Sequence, residues 1–188
     1  LQFYFRYIAK LKEPDEMQDE VDAMVFGNIV HSLMELLYKA VQKKNGHWKI
    51  LHEDIIWMKT QVPVLLQQAF IEGWREKNKE PIVFSGRLLV VAEIVKQYAN
   101  AYLDYDAMNT PFEIEALETN FKEAFHITVN NKAKPIYLSG YIDRIDIVKG
   151  TFRMVDYKTG GDELTFSTID KLFDRTEKKR NKAALQTL

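Results

Sequence analysis

Residues 140–161 read GYIDRIDIVKGTFRMVDYKTGG, two runs of alternating apolar and polar side chains on either side of a Lys-Gly pair. Lys149-Gly150 reads as a two-residue hairpin turn, because such turns need positive φ angles that glycine adopts at little steric cost. That turn sets the register. Val148 faces Thr151, Ile147 faces Phe152, Ile145 faces Met154, and Asp146 opposes Arg153. Apolar meets apolar and acid meets base, as cross-strand pairs should. The same register sets Asp143 opposite Asp156. Side chains alternate between the two faces of a strand, so Asp143, Ile145 and Ile147 share a face with Phe152, Met154, Asp156 and Lys158. Opposed aspartates, their Cβ atoms about 5 Å apart, repel one another. A divalent cation between them removes the conflict, with a lysine beside it. The alternative is surface decoration, since acidic residues are common at strand ends.

Upstream of residue 110 the period is helical. From Asp22 to Gln42, Phe26, Val30, Leu33, Leu37 and Val41 recur at three- and four-residue steps and form one apolar stripe, which Gly46 ends. A second helical stretch, Glu53 to Trp74, contains Pro63, which should begin or kink a helix. A third runs from about Ser85 to Met108, with Leu88, Val91, Val95, Tyr98 and Tyr102 on one side. Beyond it the period becomes two. FEIEALETNF, AFHITV, IYLSGYIDRIDIV and TFRMVDY read as strands, and the tail from Phe166 is polar and then helical.

The expectation is an α/β (α+β) fold: a small mixed, mostly antiparallel sheet flanked by helices. Residues 1–188 read as a single domain, 1–110 mainly helical and 111–188 the sheet core with a C-terminal helix. The chain opens at Leu1 and stops within a helical pattern, so it reads as a piece of something longer.

The formal net charge of −1 advertises no global positive field, so any contact with nucleic acid must come from local patches. There is no cysteine, which excludes a disulfide framework and cysteine-ligated metal or iron–sulfur sites within the chain. This agrees with a cytoplasmic setting. No apolar run approaches the roughly 18 residues of a membrane span, and no signal peptide is visible. No Gly-x-x-x-x-Gly-Lys-Ser/Thr phosphate loop occurs, so an ATPase motor is not expected here.

GYIDRID followed by MVDYKTGG resembles the core of the PD-(D/E)XK nuclease superfamily, and its RecB-like branch in particular. That branch includes nuclease domains of bacterial helicase–nucleases and CRISPR adaptation nucleases. Gly140, Asp143, Arg144, Asp146, Asp156, Tyr157, Lys158, Thr159 and Gly160 match its pattern. The resemblance implies a restriction-endonuclease-like core and a divalent-metal-dependent DNA nuclease, with DNA and a helicase domain or subunit as partners and a role in DNA repair or recombination. A catalytically silent nuclease fold that grips DNA or a helicase is the alternative. Upstream, GNIVHSLME is similar to the branch's Gly-x-x-x-His helix motif, whose histidine is a metal ligand, which points to His31. Gly27 lies one turn before it, and glycine within a helix costs ~1 kcal/mol against alanine, so a close approach is expected there.

The resemblance also implies that the Tyr157 backbone carbonyl reaches the metal, and that Gln186, in ALQTL, begins a Gln-x-x-x-Tyr motif that helps position the lysine or the strand. Asp143, Asp156 and His31 would then hold Mg²⁺ or Mn²⁺, and Lys158 would act on the water or the transition state. Glu118 matches the acidic residue of the first core strand, with Glu115 as its rival; both are equally readable as strand-surface charges. Lys178, Lys179, Arg180 and Lys182 form a basic cluster that either is solvated or holds phosphates. Branch members with an iron–sulfur cluster use four cysteines, so no cluster is expected.

Overall fold

The structure is a computed structural model that describes residues 21–74, 82–129, 132–161, 165, 168–174 and 176. Its elements are helix α1 (Ala23–Asn45), strand β1 (Lys49–Ile50), helices α2 (His52–Trp74) and α3 (Arg87–Ala107), strands β2 (Phe112–Val129), β3 (Lys132–Val148) and β4 (Thr151–Val155), and the short helix α4 (Ile169–Phe173). A four-stranded antiparallel sheet in the order β1-β2-β3-β4 packs against helices, which is the expected α+β architecture.

Helix α1 starts where its cap permits. The Asp22 carboxylate accepts from the Val25 N–H, satisfying one of the donors a helix leaves open, and Gly46 ends the helix in the left-handed conformation. Two adjacent rows of α1 are buried, Ile29, Leu33 and Leu37 beside Val30, Met34 and Tyr38, because the helix meets α2 on one side and α3 on the other. Where α2 crosses α1, a Cβ on Gly73 would stand 2.7 Å from the backbone of Ile29, so only a bare backbone fits. Pro63 lies within α2, which runs unbroken from His52 to Trp74. On α3 the buried positions are Ala92, Val95, Ala99, Leu103 and Asp106, with Leu88, Val91, Tyr98 and Tyr102 at their margin. The inward face is thus turned from the aromatic row toward the two alanines, whose small side chains let the helix approach closely.

The Lys149-Gly150 turn forms with φ of 50° and 80°, both positive as a tight hairpin turn requires. The register predicted from it holds from Val148 opposite Thr151 to Arg144 opposite Val155. β2 and β3 are longer than the separate runs suggested, joining FEIEALETNF to AFHITV in one strand, with a bulge between Ile114 and Ala116.

The charged side of the hairpin is the inward one. Phe152 and Met154, on the apolar side, are 65% and 72% exposed, whereas Arg144 and Asp146, on the charged side, are fully buried against the helices. The charges are buried because they satisfy one another. Arg144 makes a bidentate pair with Asp106 of α3 at 2.7 and 2.8 Å and donates to the Tyr38 hydroxyl at 2.6 Å. Arg153 makes a second two-pronged pair with Asp146, at 2.8 and 2.7 Å. Two arginines against two aspartates leave this network electrically balanced.

Candidate metal centre and active site

The site lies where α1 passes the β2–β3 ladder, just beyond the point where β4 stops pairing with β3. Leu117 pairs with Arg144 and Thr119 with Ile142, which sets Glu118 opposite Asp143. Glu118 itself has φ of 43°, off the extended conformation of its neighbours. His31 of α1 faces this pair: its Nδ1 lies 3.4 Å from an Asp143 oxygen and 4.0 Å from Glu118 Oε1. One donor atom from each of His31, Glu118 and Asp143 falls within 4.8 Å of the other two. Gly27, one turn before His31, lies close to the segment that follows β4, since a Cβ there would meet Thr159 Oγ1 at 3.3 Å.

The outer contacts orient this trio. His31 Nε2 is 2.8 Å from the Tyr157 carbonyl, which only accepts, so Nε2 carries the proton and neutral His31 turns a lone pair on Nδ1 toward the carboxylates. The Tyr157 N–H donates to Asp143 Oδ2 at 2.7 Å, leaving Oδ1 facing His31. The close Asp143 carboxylate raises the His31 pKa above the ordinary imidazole value, against partial burial, which lowers it. Glu118 is raised too, by burial and then by the charge of Asp143. Two carboxylates and an imidazole nitrogen at this spacing, with the imidazole's other nitrogen donating to a carbonyl, are a donor set that suits Mg²⁺ or Mn²⁺.

A sequence profile of the PD-(D/E)XK nuclease superfamily matches residues 1–176. The chain belongs to that superfamily. A relative is an ATP-dependent helicase/deoxyribonuclease subunit of Acetivibrio thermocellus, 25% identical over 178 residues, a match that covers 87% of this chain and 14% of the relative. This agrees with the RecB-like resemblance of the motifs.

In this PD-(D/E)XK chain Asp143 has Glu118 beside it on the β2 side, a neighbour the hairpin register could not supply. The β3–β4 ladder ends at Arg144 and Val155, one pair short of Asp143 and Asp156, because the Tyr157 N–H turns to the Asp143 carboxylate. Asp156 stands outside the trio, and its half-exposed side chain holds the Lys158 ammonium at 2.9 Å. Between the two rivals on β2, Glu118 faces the site, whereas Glu115 sits in the bulge and is exposed. The Tyr157 carbonyl, expected at the metal, here accepts the His31 N–H. Gln186, Lys178, Lys179, Arg180 and Lys182 lie outside the described residues.

Sequence reasoning passed over Asp106 and Tyr38. The signal for Asp106 was present: the inward row of α3 at residues 92, 95, 99 and 103 continues to a carboxylate, which on a buried face requires a cationic partner. Tyr102 was read as part of the apolar row, yet its hydroxyl donates to the Lys158 carbonyl at 2.8 Å. Among the described residues no helix is long and apolar enough to cross a membrane.

Proposed function

We propose that this PD-(D/E)XK chain is the nuclease domain of a DNA-processing protein, hydrolysing phosphodiester bonds with a divalent cation held by His31, Glu118 and Asp143. The observation that carries the reading is the convergence of these three side chains from α1, β2 and β3, with the His31 tautomer that leaves Nδ1 facing the carboxylates. A bound Mg²⁺ or Mn²⁺ supplies Lewis acidity, acidifying water and offsetting charge on the phosphate. Asp143 and Glu118 provide the hard oxygen donors. Lys158 reaches from the segment just past β4, where Asp156 holds its ammonium, to hold or move a proton of the attacking water or to stabilise charge on the reacting phosphate. Asp156 orients that lysine, and its carboxylate would be a further oxygen donor for the cation when DNA is bound. Gln186 is proposed to help position the lysine or the strand.

The relative's name joins a helicase to a deoxyribonuclease, which suggests DNA as substrate and a helicase domain or subunit as partner; a cytoplasmic role in repair or recombination is proposed with them on the RecB-like resemblance of the motifs. The test uses linear single- and double-stranded DNA with Mn²⁺, Mg²⁺ or chelator, comparing the parent with Asp143→Asn and Lys158→Ala. Metal-dependent cleavage that both substitutions abolish supports the reading. Binding of DNA without cleavage by the parent makes the chain a silent gripping module instead.

A further inference from the structure

Tyr157 sits past the end of β4, so its backbone is not held by the sheet ladder. Side chains from other elements hold it instead. Its N–H is taken by Asp143 at 2.7 Å, its carbonyl by His31 at 2.8 Å, and its hydroxyl by Arg144 Nη1 at 2.7 Å. The next carbonyl, that of Lys158, is taken by Tyr102. The Tyr157 ring is buried, 5.0 Å from the Tyr102 ring and 5.9 Å from the His31 ring. Arg144 is itself immobilised, fully buried and clamped by Asp106 of α3. A continuous chain of polar contacts therefore runs from α3 through Arg144 and Tyr157 to two of the three groups that face the proposed cation.

From this we infer that Arg144 and Tyr157 are positioning residues of the metal centre, an inference that rests on the metal-binding reading above. Arg144 anchors the phenol, the anchored tyrosine holds its own backbone in place, and that backbone sets the His31 tautomer and the Asp143 rotamer. The phenol–guanidinium bond thus acts on ligand geometry without touching the cation. Removing it frees the backbone at Tyr157 to shift, and the two ligands with it. A purely structural role would read differently, as lower stability with unchanged ligand geometry.

Tyr157→Phe tests this, since it keeps the ring and the backbone N–H and carbonyl groups and removes only the anchoring hydroxyl. Tyr38→Phe is the control. It also deprives Arg144 of one hydroxyl partner, but the Tyr38 hydroxyl contacts Arg144 and Asp106 rather than His31 or Asp143. The measurements are calorimetric Mn²⁺ binding without DNA and thermal unfolding in chelator. Partners of metal ligands typically matter about 10- to 100-fold in affinity, so Tyr157→Phe is expected to weaken Mn²⁺ binding about tenfold. Tyr38→Phe should lower stability and leave the Kd at the parent value. The nitrogen shifts of His31 in the metal-free protein supply a second readout: the parent holds the Nε2–H tautomer, and Tyr157→Phe gives a mixture. Equal Mn²⁺ affinity in the parent and Tyr157→Phe, or equal weakening by Tyr38→Phe, overturns the inference alone. A parent that binds no Mn²⁺ overturns the metal centre, and this inference with it.

Discussion

Glu118 and Asp143 occupy opposed positions on β2 and β3, and both turn toward Nδ1 of the same histidine, His31, at 4.0 and 3.4 Å. Like charges directly across a ladder are unfavourable, and burial with the Asp143 charge raises the pKa of Glu118. Neutralising one of them should therefore help the metal-free fold and harm metal binding. In chelator, Glu118→Gln is expected to equal the parent in stability or exceed it by up to ~1 kcal/mol. The parent should gain about 2.7 kcal/mol from Mn²⁺ at a hundred times its Kd, and the variant much less at the same concentration. Thermal unfolding of both proteins, with and without Mn²⁺, checks this. A variant clearly destabilised in chelator would show that Glu118 has a structural task.

The raised pKa of His31 gives the metal-free protein a pH dependence of definite sign. Its main cause is the Asp143 carboxylate, which favours the imidazolium in the fold. A group raised on folding contributes stability that is fully present below its unfolded value, about 6.5, and is lost as pH rises through the folded value. In chelator, His31→Gln should thus cost more stability at about pH 5.5 than at about pH 8.5, either side of the ordinary imidazole value. Mn²⁺ affinity should move oppositely, rising with pH as the proton leaves Nδ1. Calorimetry across this range is the measurement, and an affinity flat in pH would remove Nδ1 of His31 from the ligand set.

Gly73 offers a prediction independent of the site. Alanine is the better helix former by ~1 kcal/mol, so propensity alone favours Gly73→Ala. The added methyl carbon, however, would lie 2.7 Å from the Ile29 backbone, and backbone cannot move aside as a side-chain tip can. Overpacking of this kind typically costs about 1–3 kcal/mol, so net destabilisation is expected. Denaturant unfolding measures it. A stabilised variant would mean that α1 and α2 separate freely at this crossing.

What could be read before the fold was known was what depends on near neighbours. The Lys149-Gly150 turn, the register from Val148 to Arg144, the Asp22 start of α1 and the Asp146–Arg153 pair all follow from turn chemistry, capping and pleat parity. Which face of the hairpin meets the helices did not follow. That depends on Asp106, 38 residues from Arg144, and on Tyr38, 106 residues away. Their joint satisfaction of the guanidinium is invisible to a local pattern, which sees only a charged strand face. The identity of the carboxylate facing Asp143 was hidden for a related reason. The turn reports on β4, whereas Glu118 arrives from β2 through a bulge between Ile114 and Ala116 that shifts the register.

Asp156 distinguishes metal binding from catalysis. Its carboxylate is half exposed, it pairs with Lys158, and it is not one of the two carboxylates gathered around His31 Nδ1. An exposed pair of this type contributes ~1 kcal/mol or less to stability, so Asp156→Asn should unfold in chelator almost as the parent does. Without DNA, Asp143→Asn should lose far more Mn²⁺ affinity than Asp156→Asn, because Asp143 is the carboxylate already facing His31. With DNA present the order should change. Asp156→Asn frees the lysine ammonium from its holder, and both it and Lys158→Ala should lose cleavage, the lysine variant with its Mn²⁺ affinity intact. Calorimetry without DNA and single-turnover cleavage with Mn²⁺ separate these effects. If Asp156→Asn weakens Mn²⁺ binding as severely as Asp143→Asn in the absence of DNA, Asp156 is already a ligand before substrate arrives, and the division of labour proposed between it and Glu118 is wrong.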